Sequence, residues 1–226
     1  MNLKINLITN NYDFFIFDCD GVLIDSNKIK SDAFKYSLDG YPPIIVEDFI
    51  KYHKMNGGIS RYVKLDYFFK NLLKIENYQT DLEKVLNNFS QVSVSLIQQE
   101  AKLIPGVYSF LYTLFQEKKK IYVCSGAEET DLKKILHFKE LDKFFNKIYG
   151  SPRTKPQIIN EILNKNDLNN KKGLFFGDAF SDFDVARKNN LDFIFVSYNS
   201  EWAEGIQASY KEGFRSIFSY KDIHMQ

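Results

Sequence analysis

The sequence predicts an α/β fold in which a parallel sheet is interrupted, after its first strand, by an all-helical block. Three observations carry that reading. Residues 13–18 form a short aromatic and β-branched run that stops at two acids, Asp18 and Asp20, with Gly21 directly behind them. Residues 26–100 show helical apolar spacing and nothing strand-like. From Pro105 onward, short apolar runs alternate with amphipathic stretches, the pattern of strands joined by crossover helices.

Each element follows from local chemistry. The run 13–18 is bounded by polar residues and reads as a buried strand. Asp25-Ser26-Asn27 offers short polar side chains that can cap a helix whose apolar face is Ile29, Ala33, Phe34 and Leu38. Asp39-Gly40-Tyr41-Pro42-Pro43 breaks it. Further helices are expected over 46–55, ended by Gly57-Gly58, over 60–73, and over 81–104, where Leu82, Val85, Leu86, Phe89, Val92 and Leu96 recur at helical spacing. The Phe and Tyr stripes of this block read as core. Pro105-Gly106 turns the chain into a helix over 107–118. Strands at 121–124, 147–149, 173–177 and 193–196 then alternate with helices at 128–138, 156–166 and 181–190. The expected organisation is a core of residues 1–25 and 101–226 around an inserted cap of residues 26–100. Beyond Ser197 no pattern stands out.

Composition narrows the function. The chain has 226 residues with 44% hydrophobic and 26% charged content, ordinary for a globular protein. Its net charge is +1, from 30 basic and 29 acidic residues, which argues against a nucleic-acid or anionic-membrane surface. Two cysteines, Cys19 and Cys124, in apolar contexts make no disulfide framework and point to a reducing, cytoplasmic setting. No apolar run is long enough to span a bilayer, and the N-terminus lacks the features of a signal peptide. No long exposed apolar face stands out, so a monomer is expected.

Acids at the end of a buried strand need a metal ion, a basic side chain or backbone N–H groups to offset their charge. Three later features lie at comparable places: Ser125-Gly126 ends one strand, Lys155 opens a helix, and Gly177-Asp178, followed by Asp182, ends another strand. A parallel sheet gathers such loops along one edge, where open α/β sheets bind ligands. Carboxylates, a hydroxyl and an ammonium collected there could hold Mg²⁺ and a phosphoryl group, and positioning with electrostatic stabilisation is most of what phosphoryl transfer requires. Other uses are open at single positions. Ser125 and Asp182 can serve as helix caps, Asp25 as a cap or hinge residue, and Lys155 as a surface lysine at a helix start, although a cation is disfavoured at that end of the dipole. Cys19 lies between two acids, which raises a thiol pKa and removes it as a nucleophile. His53, His137 and His224 do not cluster in sequence and are not read as metal ligands.

Asp18-Cys19-Asp20-Gly21-Val22, Cys124-Ser125-Gly126, Lys155-Pro156 and Gly177-Asp178 with Asp182 resemble, in order and over essentially the whole chain, the four motifs of the haloacid dehalogenase-like superfamily. The likeness is to its helical-cap subgroup, that of β-phosphoglucomutase and phosphoglycolate phosphatase. It implies a Rossmann-like core, Mg²⁺ and hydrolysis of a small phosphate monoester through an aspartyl-phosphate. By the same resemblance Asp18 is the nucleophile and Asp20 the acid and base. Asp18, the Asp20 backbone carbonyl and Asp178 are the metal ligands, Asp182 supports the metal shell or Lys155, and Ser125, Gly126 and Lys155 meet the phosphoryl group. The second aspartate favours phosphate chemistry over dehalogenation.

In the cap, Gly58-Ile59-Ser60-Arg61 resembles a Gly-x-Ser-Arg segment that reaches the substrate in β-phosphoglucomutase and some sugar phosphatases, which makes Ser60 and Arg61 substrate-binding candidates, with His53, Lys54 and Asn56 nearby. The segment around Tyr52-His53-Lys54 also resembles phosphatases of bacterial surface-polysaccharide synthesis. Two departures separate the chain from the mutase: Lys28-Ile29-Lys30 stands where the mutase has a histidine, and Gly177-Asp178 where it has Glu-Asp. The expected activity is therefore hydrolysis of a sugar, polyol or amino-alcohol phosphate. The rivals are a sugar phosphomutase and a non-catalytic binding protein that keeps the fold.

Overall fold

The computed structural model describes residues 3–224. In chain order the elements are β1 (Leu3–Lys4), α1 (Ile5–Asn11), β2 (Phe14–Phe17), α2 (Asn27–Ser37), α3 (Pro43–Met55), α4 (Arg61–Tyr67), α5 (Gln79–Glu100), α6 (Val107–Gln116), β3 (Lys120–Glu128), α7 (Glu129–Phe138), β4 (Lys147–Ser151), α8 (Lys155–Lys165), β5 (Gly173–Gly177), α9 (Phe180–Lys188), β6 (Asp192–Val196), α10 (Gly205–Glu212), β7 (Arg215–Ile217) and β8 (Ile223–His224).

Six strands form a parallel sheet in the order β4-β3-β2-β5-β6-β7. All four residues of β2 are buried, as expected of a central strand covered on both faces. Alternate side chains feed different cores. Phe15 and Phe17 join Ile121, Val123, Leu174 and Phe176 beneath α6 and α7. Phe14 and Ile16 join Tyr122, Cys124 and Phe175 beneath α8 and α9. Phe17 and Phe176 stack at 4.8 Å and lock β2 to β5. The chain leaves β2 toward β3 on one side and later returns to β5 on the other, so the carboxyl end of β2 is a topological switch point.

Helices α2–α5 form the inserted cap, with a core of their own. Phe34 stacks on Phe89 at 4.0 Å, and Phe49, Leu65, Phe68 and Phe69 complete it. The expected helix over 60–73 is α4 followed by a π-helical turn at Phe68–Leu72. The two chain crossings between core and cap lie side by side. Ile24 and Leu103 form an antiparallel bridge, Asp25 N–H donates to Lys102 O at 2.9 Å, and Ile104 N–H to Leu23 O at 3.0 Å.

One expectation about the core is corrected. β3 does not stop at Cys124: it continues to Glu128 after a register break, and α7 begins only at Glu129, so Ser125 lies within a strand and cannot be a helix N-cap. The stretch beyond Ser197 is ordered into α10, β7 and β8. Only Ile217 of β7 is buried, so that strand shows no periodicity in the sequence. No helix among the described residues is long and apolar enough to cross a membrane.

Candidate active site

At the carboxyl ends of β2 and β5, three buried acids cluster, and two of them, Asp18 and Asp182, hold one ammonium. Asp18 is 2% exposed; its Oδ1 accepts the Cys19 N–H at 2.7 Å and its Oδ2 lies 2.9 Å from Lys155 Nζ. Lys155 is the first residue of α8, and it also donates to Asp182. The awkward position of a cation at a helix N-terminus is thus explained by two carboxylates. Burial works against its charge, but Asp18 and Asp182 outweigh burial and raise the pKa above the usual lysine range. Asp182 also accepts the Ala179 N–H at 3.1 Å, so it caps α9 and holds Lys155 at once.

Among the described residues, the Asp178 carboxylate receives only the Asn27 amide, at 2.8 Å. Burial first, then the charges of Asp18 and Asp182, push its pKa well above the ordinary carboxylate range. Asp182 is pushed up to about 6 mainly by burial, against the pull of Lys155. Asp18, Asp178 and Asp182 each place an oxygen within 4.8 Å of the others. This is a hard oxygen donor set with more negative charge than one ammonium offsets, and it fits a divalent cation such as Mg²⁺. Gly21 makes room for it: at φ +73° a side chain would be strained, and its Cβ would overlap Asp178 Oδ2.

Asp20 turns the other way. Its carboxylate accepts the Ser26 hydroxyl at 2.6 Å and pairs with Lys30 on α2. Burial would raise its pKa, but Lys30 and Ser26 outweigh burial and lower it. The cap contributions of Ser26 and Lys30 were not foreseen. Ser26, expected as a side-chain cap, makes no cap bond and serves Asp20 instead. The sequence marks Asn27 only as part of a helix start, and nothing in its spacing announces the contact with Asp178.

Ser125 is 1% exposed and its Oγ accepts the Ala127 N–H at 3.2 Å. The cap loop rests on this part of the core. Gly58, at φ +74°, packs so closely that a Cβ would meet Ser181 Oγ and Lys155 Nζ, and a Cβ at Gly126 would overlap the Gly58 carbonyl. Ser181 Oγ donates to Gly57 O at 2.9 Å. Between cap and core lies a cavity of about 340 Å³. Its floor includes Asp18, Ser125, Gly126 and Asp178; its roof includes Phe34, His53, Lys64 and Phe89. Arg61 lines it too, with Nη1 paired to Asp131 at 2.9 Å and Nη2 near Glu128 at 3.9 Å, while Nε has no partner among the described residues. Ser60, expected beside the substrate, is instead the N-cap of α4, accepting the Tyr62 N–H at 3.2 Å. Lys64, buried in the roof, was missed because a lone lysine in an amphipathic helix carries no motif.

The chain belongs to the haloacid dehalogenase-like hydrolases, whose family model matches residues 15–196. It is 26% identical over 149 residues to an uncharacterized protein of Haemophilus influenzae, covering 66% of this chain and 70% of that one. Solved structures share its fold. A hydrolase from Pseudomonas syringae superposes with a TM-score of 0.72 at 20% identity, over 91% of this chain and 93% of the other. A predicted phosphatase from Clostridium acetobutylicum gives 0.68 at 21% identity, over 88% and 90%. A predicted phosphoglycolate phosphatase from Haemophilus somnus gives 0.68 at 16% identity, over 88% and 98%.

Proposed function

We propose that the protein is a Mg²⁺-dependent phosphatase that hydrolyses a small phosphate monoester of sugar, polyol or amino-alcohol type by way of a phosphorylated Asp18. One observation carries the proposal: a buried carboxylate, Asp18, held 2.9 Å from Lys155 Nζ at a sheet edge and flanked by Asp178 and Asp182. A carboxylate in such a place is a nucleophile whose attack is limited by charge, and the surrounding groups address charge.

Asp18 would attack phosphorus as the bond to the leaving oxygen breaks. Asp20 would give that oxygen its proton; Lys30 and Ser26 favour its charged form where it now stands, so this role requires the carboxyl to leave Lys30 and take up a proton. It would then take a proton from the water that hydrolyses the acyl phosphate, releasing inorganic phosphate and restoring Asp18. Lys155 and Ser125 would hold the non-bridging oxygens. Asp18, Asp178 and the Asp20 backbone carbonyl would hold Mg²⁺, which when bound supplies further neutralisation of phosphoryl charge. Gly126 and Arg61 would border the leaving group, and the cap, residues 26–100, would exclude bulk water.

The test is phosphate release over a panel of sugar, polyol, amino-alcohol and aryl phosphates with and without Mg²⁺. Mg²⁺-dependent turnover that disappears in Asp18→Asn is expected. A panel with no turnover, or turnover that survives Asp18→Asn, would end the proposal.

A further inference from the structure

Lys64 differs from every other cation around the cavity. Lys30 pairs with Asp20, Lys54 lies 3.9 Å from Glu201, Arg61 lies 2.9 Å from Asp131, and Lys155 holds Asp18 and Asp182. Lys64 is 3% exposed, yet among the described residues no carboxylate comes within 4.0 Å of its Nζ. Its partners are uncharged: His53 Nδ1 at 2.8 Å and the His53 carbonyl at 3.2 Å. An ammonium carries three protons, so one N–H is left without an acceptor in a residue that lines the cavity roof. A buried cation without a counter-charge is costly, and ligand charge is the remaining means of compensation.

None of the acids of the cavity wall, the exposed Glu204 included, comes within 4.0 Å of Lys64. Asp131 is engaged by Arg61 and Ser90, Glu128 by Tyr62 at 2.7 Å, and Glu201 by Lys54. The floor has its own phosphoryl-binding groups in Lys155 and Ser125. The charge opposite Lys64 therefore belongs to the other end of the substrate. We propose that Lys64, braced by His53, binds a second oxyanion on the leaving group, so that the substrate is a phosphate monoester that also carries a carboxylate or a further phosphate. This rests on the phosphatase reading and narrows its substrate class: esters bearing a second oxyanion are selected, and simple polyol and amino-alcohol phosphates are disfavoured.

The electrostatics agree with the geometry. Burial and the charge of Lys30 push the Lys64 pKa down to about 7, against weaker support from Glu201 and Asp20. His53 is pushed down to about 2 by burial and by Lys64, so it stays neutral and accepts at Nδ1. An oxyanion beside Lys64 would restore its charge.

The test compares kcat/KM for 3-phosphoglycerate and fructose 1,6-bisphosphate, which carry a second oxyanion, with glycerol 3-phosphate and phosphoethanolamine, which do not. p-Nitrophenyl phosphate serves as the reference. The first pair is expected to be preferred, and whichever member is turned over better identifies the oxyanion as carboxylate or phosphate. Lys64→Met should reduce kcat/KM for the preferred substrate, mainly through KM, by about 10- to 100-fold more than for the reference, the range of a hydrogen bond to a charged group. Lys64→Arg should retain the preference. Equal losses on all substrates, or a preference of the unaltered enzyme for glycerol 3-phosphate or phosphoethanolamine, would overturn the assignment. The substrate comparison decides the matter even where Lys64→Met does not fold. If p-nitrophenyl phosphate is hydrolysed without any such preference, only this inference fails; if no phosphate ester is hydrolysed, the phosphatase reading itself fails.

Discussion

Arg61 of the cap and Asp131 of the core are joined across the seam between the two by a 2.9 Å ion pair, with each side chain only 10% exposed. Removing one partner of a buried pair leaves the other charged and unmatched, whereas replacing both with apolar groups is often neutral. Arg61→Met is expected to cost about 3–5 kcal/mol of stability, and Arg61→Met with Asp131→Leu to regain most of it. Urea unfolding of the three proteins measures this. A double variant no more stable than the single one would show that the pair is not coupled.

The division of labour between the two leading acids is open to a pre-steady-state measurement. With p-nitrophenyl phosphate the aryl oxide needs no proton to leave, so Asp20→Asn should still form the acyl phosphate but hydrolyse it slowly. Stopped-flow absorbance should show a burst of p-nitrophenol followed by turnover reduced about 10²- to 10⁴-fold. Asp18→Asn should show neither. A burst in Asp18→Asn would place the nucleophile elsewhere.

Crowding of Asp178 against Asp18 and Asp182 predicts strong stabilisation by metal. At a Mg²⁺ concentration one hundred times its dissociation constant the gain should be about 2.7 kcal/mol. In a protein of this size that corresponds to a Tm rise of roughly 5–11 °C. Asp178→Asn should start with a higher metal-free Tm, because one buried negative charge is gone, and should lose most of the Mg²⁺-dependent rise. Scanning calorimetry with EDTA and with Mg²⁺ tests both statements independently of activity.

Lys64 predicts a pH signature in stability. Its pKa is about 7 in the folded protein and 10.5 for the ordinary side chain. Between those values the unfolded chain holds a proton that the folded protein does not, so stability rises with pH. The gain is complete above 10.5 and is lost as pH falls toward 7. Each unit of difference is worth about 1.4 kcal/mol. Lys64→Met should flatten the slope of urea stability between pH 7 and 10, and an unchanged slope would mean that Lys64 stays charged.

The fold was legible where the chain is strongly periodic. Phe14–Phe17 and Gly173–Gly177 were readable as central strands because burial on both faces demands unbroken apolar runs. β7 was invisible because it buries one residue in three. The site followed the same division. Asp18, Lys155 and Asp178 sit at strand and helix ends that a parallel sheet brings together, so their positions could be reasoned from topology. Lys30, Lys64 and Asn27 reach the site through the way the cap packs on the core, which depends on cap–core contacts such as Gly58 against Gly126. Those contacts leave no spacing in the sequence. Ser125 lies on the cavity floor where the strand order puts it, but it is not a helix cap, because the extension of β3 past Cys124 depends on its pairing with β4.

The adjacent crossings at Asp25 and Lys102 have an engineering consequence. Because these residues are already hydrogen-bonded neighbours at 2.9 Å, a two-residue hairpin turn would span the gap left by removing the insertion. The resulting miniature would keep the acids and the ammonium on an open shelf. Without the cap, the residues of the cavity floor would stand open to solvent.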